Sequence, residues 1–320
     1  MNFATPVVFL AAAAAPAGLD APSLEALRAV DLRLATIAHR LVTTNAALCR
    51  DRSPATGAVL HALTQYDAAT APAAREVFGF VAPVSVEAVV AGSAAHRAGI
   101  RANDGIVSVE GATVTASATP PSSADRDAAL ARVAAATGAV RFGIAGHGEV
   151  VVDAPPGCRA NFEVLLGPEM AAHSDGRIVQ IGVRFFERYR DEETAVIVAH
   201  ELAHVILRHR ARLEGAGVKG GLLGELGRNA KLGQRAELEA DTLGVALLYN
   251  AGFDPASAAR FWREHGGDID GGLFRSRTHP ATATRVRAIE AAVGAIPRDA
   301  ARPYVPPVLE ERDRPIESRK

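Results

Sequence analysis

The sequence predicts an α+β fold: a mainly helical domain with a small edge sheet, interrupted by an inserted β-rich module. Three observations predict it. Leu24, Leu27, Leu34, Ile37, Leu41 and Leu48 recur at helical spacing across 23–49. From Val77 to about Asp153 the pattern changes to short valine-rich runs with partial alternation, broken by glycines and an Asn103-Asp104-Gly105 turn. Helical periodicity then returns near Asp191 and runs, with a glycine-rich break, to Ala295. The expected units are a leader over 1–18, a helical part over 19–76, the β-rich module over 77–153, a main domain over 154–296 and a tail over 297–320. A chain of 320 residues with 48% hydrophobic content can build a sizeable core. Its net charge of −1 makes no electrostatic case for nucleic acid. Lys219, Lys231 and Lys320 are the only lysines, which reads as coding bias toward arginine.

Phe3 to Ala17 is apolar, alanine-rich and ends in small residues, as an export signal and its cleavage site would. It lacks a basic start, and Pro6 and Pro16 interrupt it, so a disordered N-terminus or an anchor stays open. It is short for a membrane span, and no later run is long enough for one. A cleaved signal would put the protein in the periplasm or outside the cell; without one it is cytoplasmic. Cys49 and Cys158 are the two cysteines. In an exported chain they suggest one disulfide at the two ends of the β-rich module; two buried thiols are the alternative.

Ser23 to Cys49 should be a long amphipathic helix packed beside the main domain. Arg50 to Ala74 reads as irregular with short helices, and His61 within it as structural. In the β-rich stretch, Gly92-Ser93-Ala94-Ala95, Ala98-Gly99-Ile100 and Asn103-Asp104-Gly105 precede an apolar strand closed by Gly111. That order resembles the PDZ domains of bacterial proteases. Ala94 stands where proline is common, and Asn103 where glycine is common; asparagine tolerates the left-handed backbone such a turn needs. The resemblance implies capture of peptide C-termini by strand addition, with free N–H groups near Phe78, Gly79 and Phe80 holding the carboxylate. Asp125 to Ala136 would line the groove and Val140 to Val152 form a closing hairpin. A module that only braces the main domain is the alternative.

Arg177 to Ile181, after a Ser-Asp-Gly turn, reads as a strand suited to receive a peptide along its edge. Ala195 to about Arg208 should be a nearly all-apolar, central helix, with Asp191 as its N-cap. Inside it lies His200-Glu201-Leu202-Ala203-His204. Histidines four apart share a helix face, so both can bind one zinc ion, and Glu201 projects beside them as a general base. A third histidine at 210 would complete one known pattern, but Arg210 stands there; His209 falls one position short and should point elsewhere. Leu213 to Gly233 holds seven glycines among leucines and reads as a mobile lid or a surface loop. Glu237 and Asp241, four apart on the next helix, are the better partners. Glu237 can be the third ligand, and Asp241 can accept the second N–H of a ligand histidine. Glu239 should point away into solvent.

H-E-L-A-H, E-L-E-A-D-T-L-G, Asn250-Ala251-Gly252-Phe253 and Arg277-Thr278-His279-Pro280 together closely resemble the gluzincin metallopeptidases of the HtpX and CAAX-prenyl-endopeptidase type. The resemblance implies one Zn2+ per chain on His200, His204 and Glu237, with Glu201 as base and protein or peptide substrates. It further implies His279 as an oxyanion donor or inhibitory ligand and Arg285 as a partner of the site carboxylates. With no membrane spans, the chain is similar to a soluble, exported branch carrying an inserted PDZ-like module. The reaction implied is cleavage of internal peptide bonds, in envelope protein quality control. A peptide-binding or chaperone-like factor with a silent zinc site is the rival reading. Ala256 to His265 and Ala281 to Ala295 should be helices, with a turn over 266–272; Pro297 to Lys320 should be an extended or disordered tail.

Overall fold

Asp20 opens the first helix, its carboxylate accepting the N–H of Ser23 at 2.9 Å, and Pro22 suits the first turn. The helix, α1 (Ala21–Thr44), turns Leu34, Ile37 and Leu41 into the core. The structure, a computed structural model, describes residues 18–218, 227–269 and 279–317. The leader expected over 1–18 therefore lies almost wholly outside the described residues. No described helix is long and apolar enough to cross a membrane.

After a 3₁₀ turn at Ala46–Leu48, strand β1 (Arg52–Pro54) starts the inserted module. The chain continues through β2 (Ala58–Ala62), α2 (Ala71–Phe78), β3 (Val84–Val89), α3 (Ala94–Arg97), β4 (Gly105–Val109) and β5 (Ala112–Thr113). Helix α4 (Ala124–Ala135) and the hairpin β6 (Val140–Ile144), β7 (Gly148–Val152) follow, then β8 (Pro156–Cys158). The sheet runs β2-β3-β4-β6-β7, with β5 on β4. Val84, Val86, Ile106 and Phe142 fill its core beneath α4. Asn103 takes φ +71°, as the turn requires. The stretch expected to be irregular is corrected here: β2 adds an edge strand from residues before 77. Alternation there is masked because one face of β2 meets the sheet core and the other meets α1 and α2, so Leu60 and His61 are both buried. His61 packs edge-on to Phe78 and beside Phe80, a structural role.

β1 and β8 pair antiparallel, Arg52 opposite Cys158, so the chain enters and leaves the module side by side. Cys49 and Cys158 are joined there by a disulfide, with Cα atoms 5.3 Å apart.

The remaining chain builds β9 (Asn161–Leu165), β10 (Ala172–Ser174), β11 (Ile178–Gly182), α5 (Val183–Arg188), α6 (Asp191–Ile206) and α7 (His209–Gly215). It ends with α8 (Gly227–Asn250), α9 (Ser257–Ile269) and α10 (Thr282–Gly294). The small sheet runs β10-β11-β9, so β11 is its centre and not the expected edge; β10 is the edge strand that packs on α6. Helix α6 is capped by Arg190, with Asp191 inside its first turn. Ala199, Ala203 and Ala240 are small and fully buried, which lets α6 and α8 lie close. Part of the glycine-rich stretch is helical, since α7 and α8 reach into 213–233 from both sides; 219–226 lies outside the described residues. Helix α9 runs through Gly266 and Gly267, where a turn was expected.

The tail is ordered over 297–317, against expectation. A 3₁₀ helix at Pro307–Asp313 packs Val308 and Leu309 on the core, and Ile316 is buried against Leu232 and Ala236. The Asn250 side chain exchanges hydrogen bonds with the backbone of Tyr304 at 2.7 and 3.0 Å. Proline content disguised this segment, whose few apolar residues each land on a core face.

Candidate metal centre

Helix α6 is apolar on nearly every side, so its polar residues are carried into the interior by their neighbours. His200 and His204 sit one turn apart, with Nε2 atoms 3.1 Å from each other. Glu237 comes from the facing α8: its Oε2 lies 3.3 Å from His200 Nε2 and its Oε1 3.4 Å from His204 Nε2. The three donors form the one cluster in which two histidines and a carboxylate converge among the described residues. A tetrahedral zinc with bonds of about 2.05 Å places its ligand atoms about 3.3 Å apart. The three observed separations surround that value, so the residues present fit the ion the motif implies.

Glu201 is buried next to the pair. Burial pushes its carboxyl up to about 7, with the Glu237 carboxylate adding to the rise, while His200, Arg285 and a hydrogen bond from Ser174 on β10 oppose it. A divalent cation alongside would draw the value back down. Burial also lowers His204 well below its usual value, which keeps the imidazole neutral and able to ligate. For His200 burial and the Arg285 charge act downward, but the hydrogen bonds its ring donates to the Asp241 and Glu237 carboxylates outweigh them and hold it up to about 9. Glu237 stays ionised: burial opposes this, but His204, His200 and Arg285 together hold it well below the usual carboxylate range.

Asp241 takes the expected place, its Oδ1 3.0 Å from His200 Nδ1. Arg285 on α10 grips the same carboxylate twice, Nε donating to Oδ2 at 2.8 Å and Nη2 to Oδ1 at 2.6 Å. It also lies 3.8 Å from Glu237. The guanidinium is stacked 3.5 Å above Trp262, so that residue, expected as core only, floors the arginine. His279 is brought to the rim, half exposed, 3.7 Å from Glu237 Oε2.

Two expectations are corrected. Glu239 is buried, not solvated, and His209 points toward the site. His209 Nδ1 lies 2.9 Å from His204 Nδ1, and its Nε2 3.2 Å from Glu239. Counting five helical positions from His204 misplaces His209, because α6 ends at Ile206 and Arg208 turns through a left-handed φ of +56°. Glu239 does face away from the donors, but α7 and the C-terminal segment cover that side of α8.

Phe78, Gly79 and Phe80 do not form the expected carboxylate loop. Phe78 ends α2 in full burial, Gly79 N–H donates to Arg75 O at 3.0 Å, and Phe80 N–H donates to Phe78 O at 2.9 Å. Both loop N–H groups are thus taken. One edge of the module's sheet is β2, which lines a cavity of about 680 Å³ together with α4, α1 and β9. None of His200, Glu201, His204 or Glu237 lines it.

Comparison with known proteins points to the same chemistry. Mitochondrial metalloendopeptidase OMA1 of Schizosaccharomyces pombe is 28% identical over 121 residues, covering 31% of this chain and 36% of the relative. The chain thus spans about a third of that relative's length. Residues 218–293, which carry Glu237, Asp241, His279 and Arg285 but begin after the histidine pair, match the model of Peptidase family M48.

Proposed function

We propose that the protein is a zinc metalloendopeptidase of the gluzincin type, acting on internal peptide bonds of protein substrates. The observation that carries the reading is the convergence of His200, His204 and Glu237 at 3.1–3.4 Å, with Glu201 buried beside them. The similarity to a metalloendopeptidase and to family M48 supports the same chemistry.

Zinc, when bound, supplies the Lewis acidity that polarises a scissile carbonyl and acidifies water. The residues do the rest. His200 and His204 present bare Nε2 atoms to the ion, and Asp241 fixes the first ring by accepting its Nδ1–H. Glu201 takes the proton of the attacking water and returns it to the departing amine. The open edge of β10, whose Ser174 hydrogen-bonds Glu201, aligns the substrate backbone by strand addition. His279 at the rim donates an N–H to the developing oxyanion.

The PDZ-like module, in this reading, captures peptide along the β2 edge, in the cavity beside α4. Envelope protein quality control, in the periplasm, is the setting we favour. The Cys49–Cys158 disulfide supports an oxidising compartment.

The test is digestion of a casein-type substrate, with metal analysis in parallel. Zinc at one per chain, internal cleavage and loss of both on chelation are expected. Zinc binding without cleavage of any protein would leave a binding factor in place of an enzyme, and cleavage only at termini would make it an exopeptidase.

A further inference from the structure

His209 and Glu239 take no part in the proposed reaction, yet both are buried directly behind the donors. His200 has its carboxylate, Asp241, in direct contact. His204 has none at its Nδ1, which instead meets His209 Nδ1 at 2.9 Å, and His209 passes the contact on to Glu239 at 3.2 Å. Glu239 is held between two guanidiniums, Arg212 Nη1 donating at 2.6 Å and Arg235 Nε at 2.7 Å.

With both rings neutral, this chain admits one proton order. Glu239, ionised between two arginines, only accepts. His209 therefore donates from Nε2, which leaves its Nδ1 as an acceptor. His204 must then donate from Nδ1, which leaves its Nε2 bare and facing the donor cluster. The outer end is set by the C-terminal segment. Arg212 Nε donates to Arg314 O at 2.9 Å, and Arg235 donates to Glu317 O at 2.6 Å and to Glu311 Oε2 at 2.9 Å. Ile316, buried against Leu232 and Ala236, anchors that segment on α8. The two arginines that hold Glu239 are thus themselves held by residues 311–317.

We propose that His209 and Glu239 are positioning residues that fix the metal-competent tautomer of His204, and that the C-terminal segment sets this relay through Arg212 and Arg235. The proposal rests on His204 being a metal donor, so the experiment separates the two claims. Zinc affinity of the full-length protein is measured by competition with a chromophoric chelator, alongside thermal unfolding of each apo form. Wild type should bind tightly and His204→Ala should not; equal binding by both would sink the metal reading itself. Given that contrast, His209→Ala and Glu239→Gln should bind zinc about 10–100-fold more weakly, with apo unfolding kept cooperative. Ile316→Ser, which touches neither ring, should lose affinity several-fold. Unchanged affinity in the first two overturns the relay, and in the third overturns the role of the C-terminal segment. A readout that needs no variant is the ring nitrogen spectrum of the zinc-loaded wild type. His209 protonated at Nε2 and accepting at Nδ1 is expected; protonation at Nδ1 instead overturns the proposal.

Discussion

Glu201 and Asp241 are both buried carboxyls within one site, and their surroundings divide the work between them. Glu201 has no arginine gripping it, and without a metal burial pushes it up to about 7; a bound cation would lower it and leave it ionised, as a base must be. Asp241 is doubly bonded by Arg285, which outweighs burial and keeps it ionised. Glu201→Gln should therefore keep one zinc per chain and lower the turnover rate about 10²–10⁴-fold. A variant that cleaves at the wild-type rate would remove Glu201 as the base. Asp241→Asn leaves His200 without its acceptor and Arg285 without its counter-charge. It should weaken zinc binding about 10–100-fold, read by chelator competition. Legibility at this scale followed helical arithmetic. Histidines at i, i+4 and carboxylates at i, i+4 need only an intact helix, so His200, His204, Glu237 and Asp241 could be placed. His209 could not, because a left-handed Arg208 breaks the count between them.

Elements meet at the face where α1 covers β3, and a second pair of carboxyls lies there, Glu87 buried and Asp31 half-buried. Burial pushes Asp31 up to about 7 and Glu87 up to about 8, and each faces the other. Unfolded, both would titrate near the ordinary carboxylate value of about 4. Between that value and 7–8 the folded chain holds protons that the unfolded chain has released. Stability from this pair is therefore greatest at low pH and declines as pH rises through that window. Glu87→Gln should raise the melting temperature more at pH 8.5 than at pH 5, as read by calorimetry at both. An equal shift at the two pH values would show that the pair is not the cause. The pair was not legible in the sequence: Asp31 sits on an amphipathic helix where charge usually meets solvent. Only the module's docking on α1 covers it. β2 was hidden for a like reason, being covered on both faces by other elements.

The whole molecule is a helical domain with a module inserted through one neck. β1 and β8 pair across that neck, and the disulfide ties residues 109 positions apart. A bridge closing so long a loop contributes up to about 5 kcal/mol by restricting the unfolded chain. Thiol titration of the denatured protein should find no free thiol, and reduction should lower the unfolding midpoint in urea. An unmoved midpoint after full reduction would show that the strand pair alone holds the neck. At this scale the division between sequence and structure is clear. The alternation of residue types along single elements determined the α+β class, the helix that carries His200 and His204 and the helix bearing Glu237, because each depends on periods of two or 3.6 residues. Which faces end up covered depends on contacts between segments far apart in the chain. So the tertiary structure alone decided that β10 is the edge at the site, that the loop at 78–80 is closed, and that Glu239 is buried by an ordered tail.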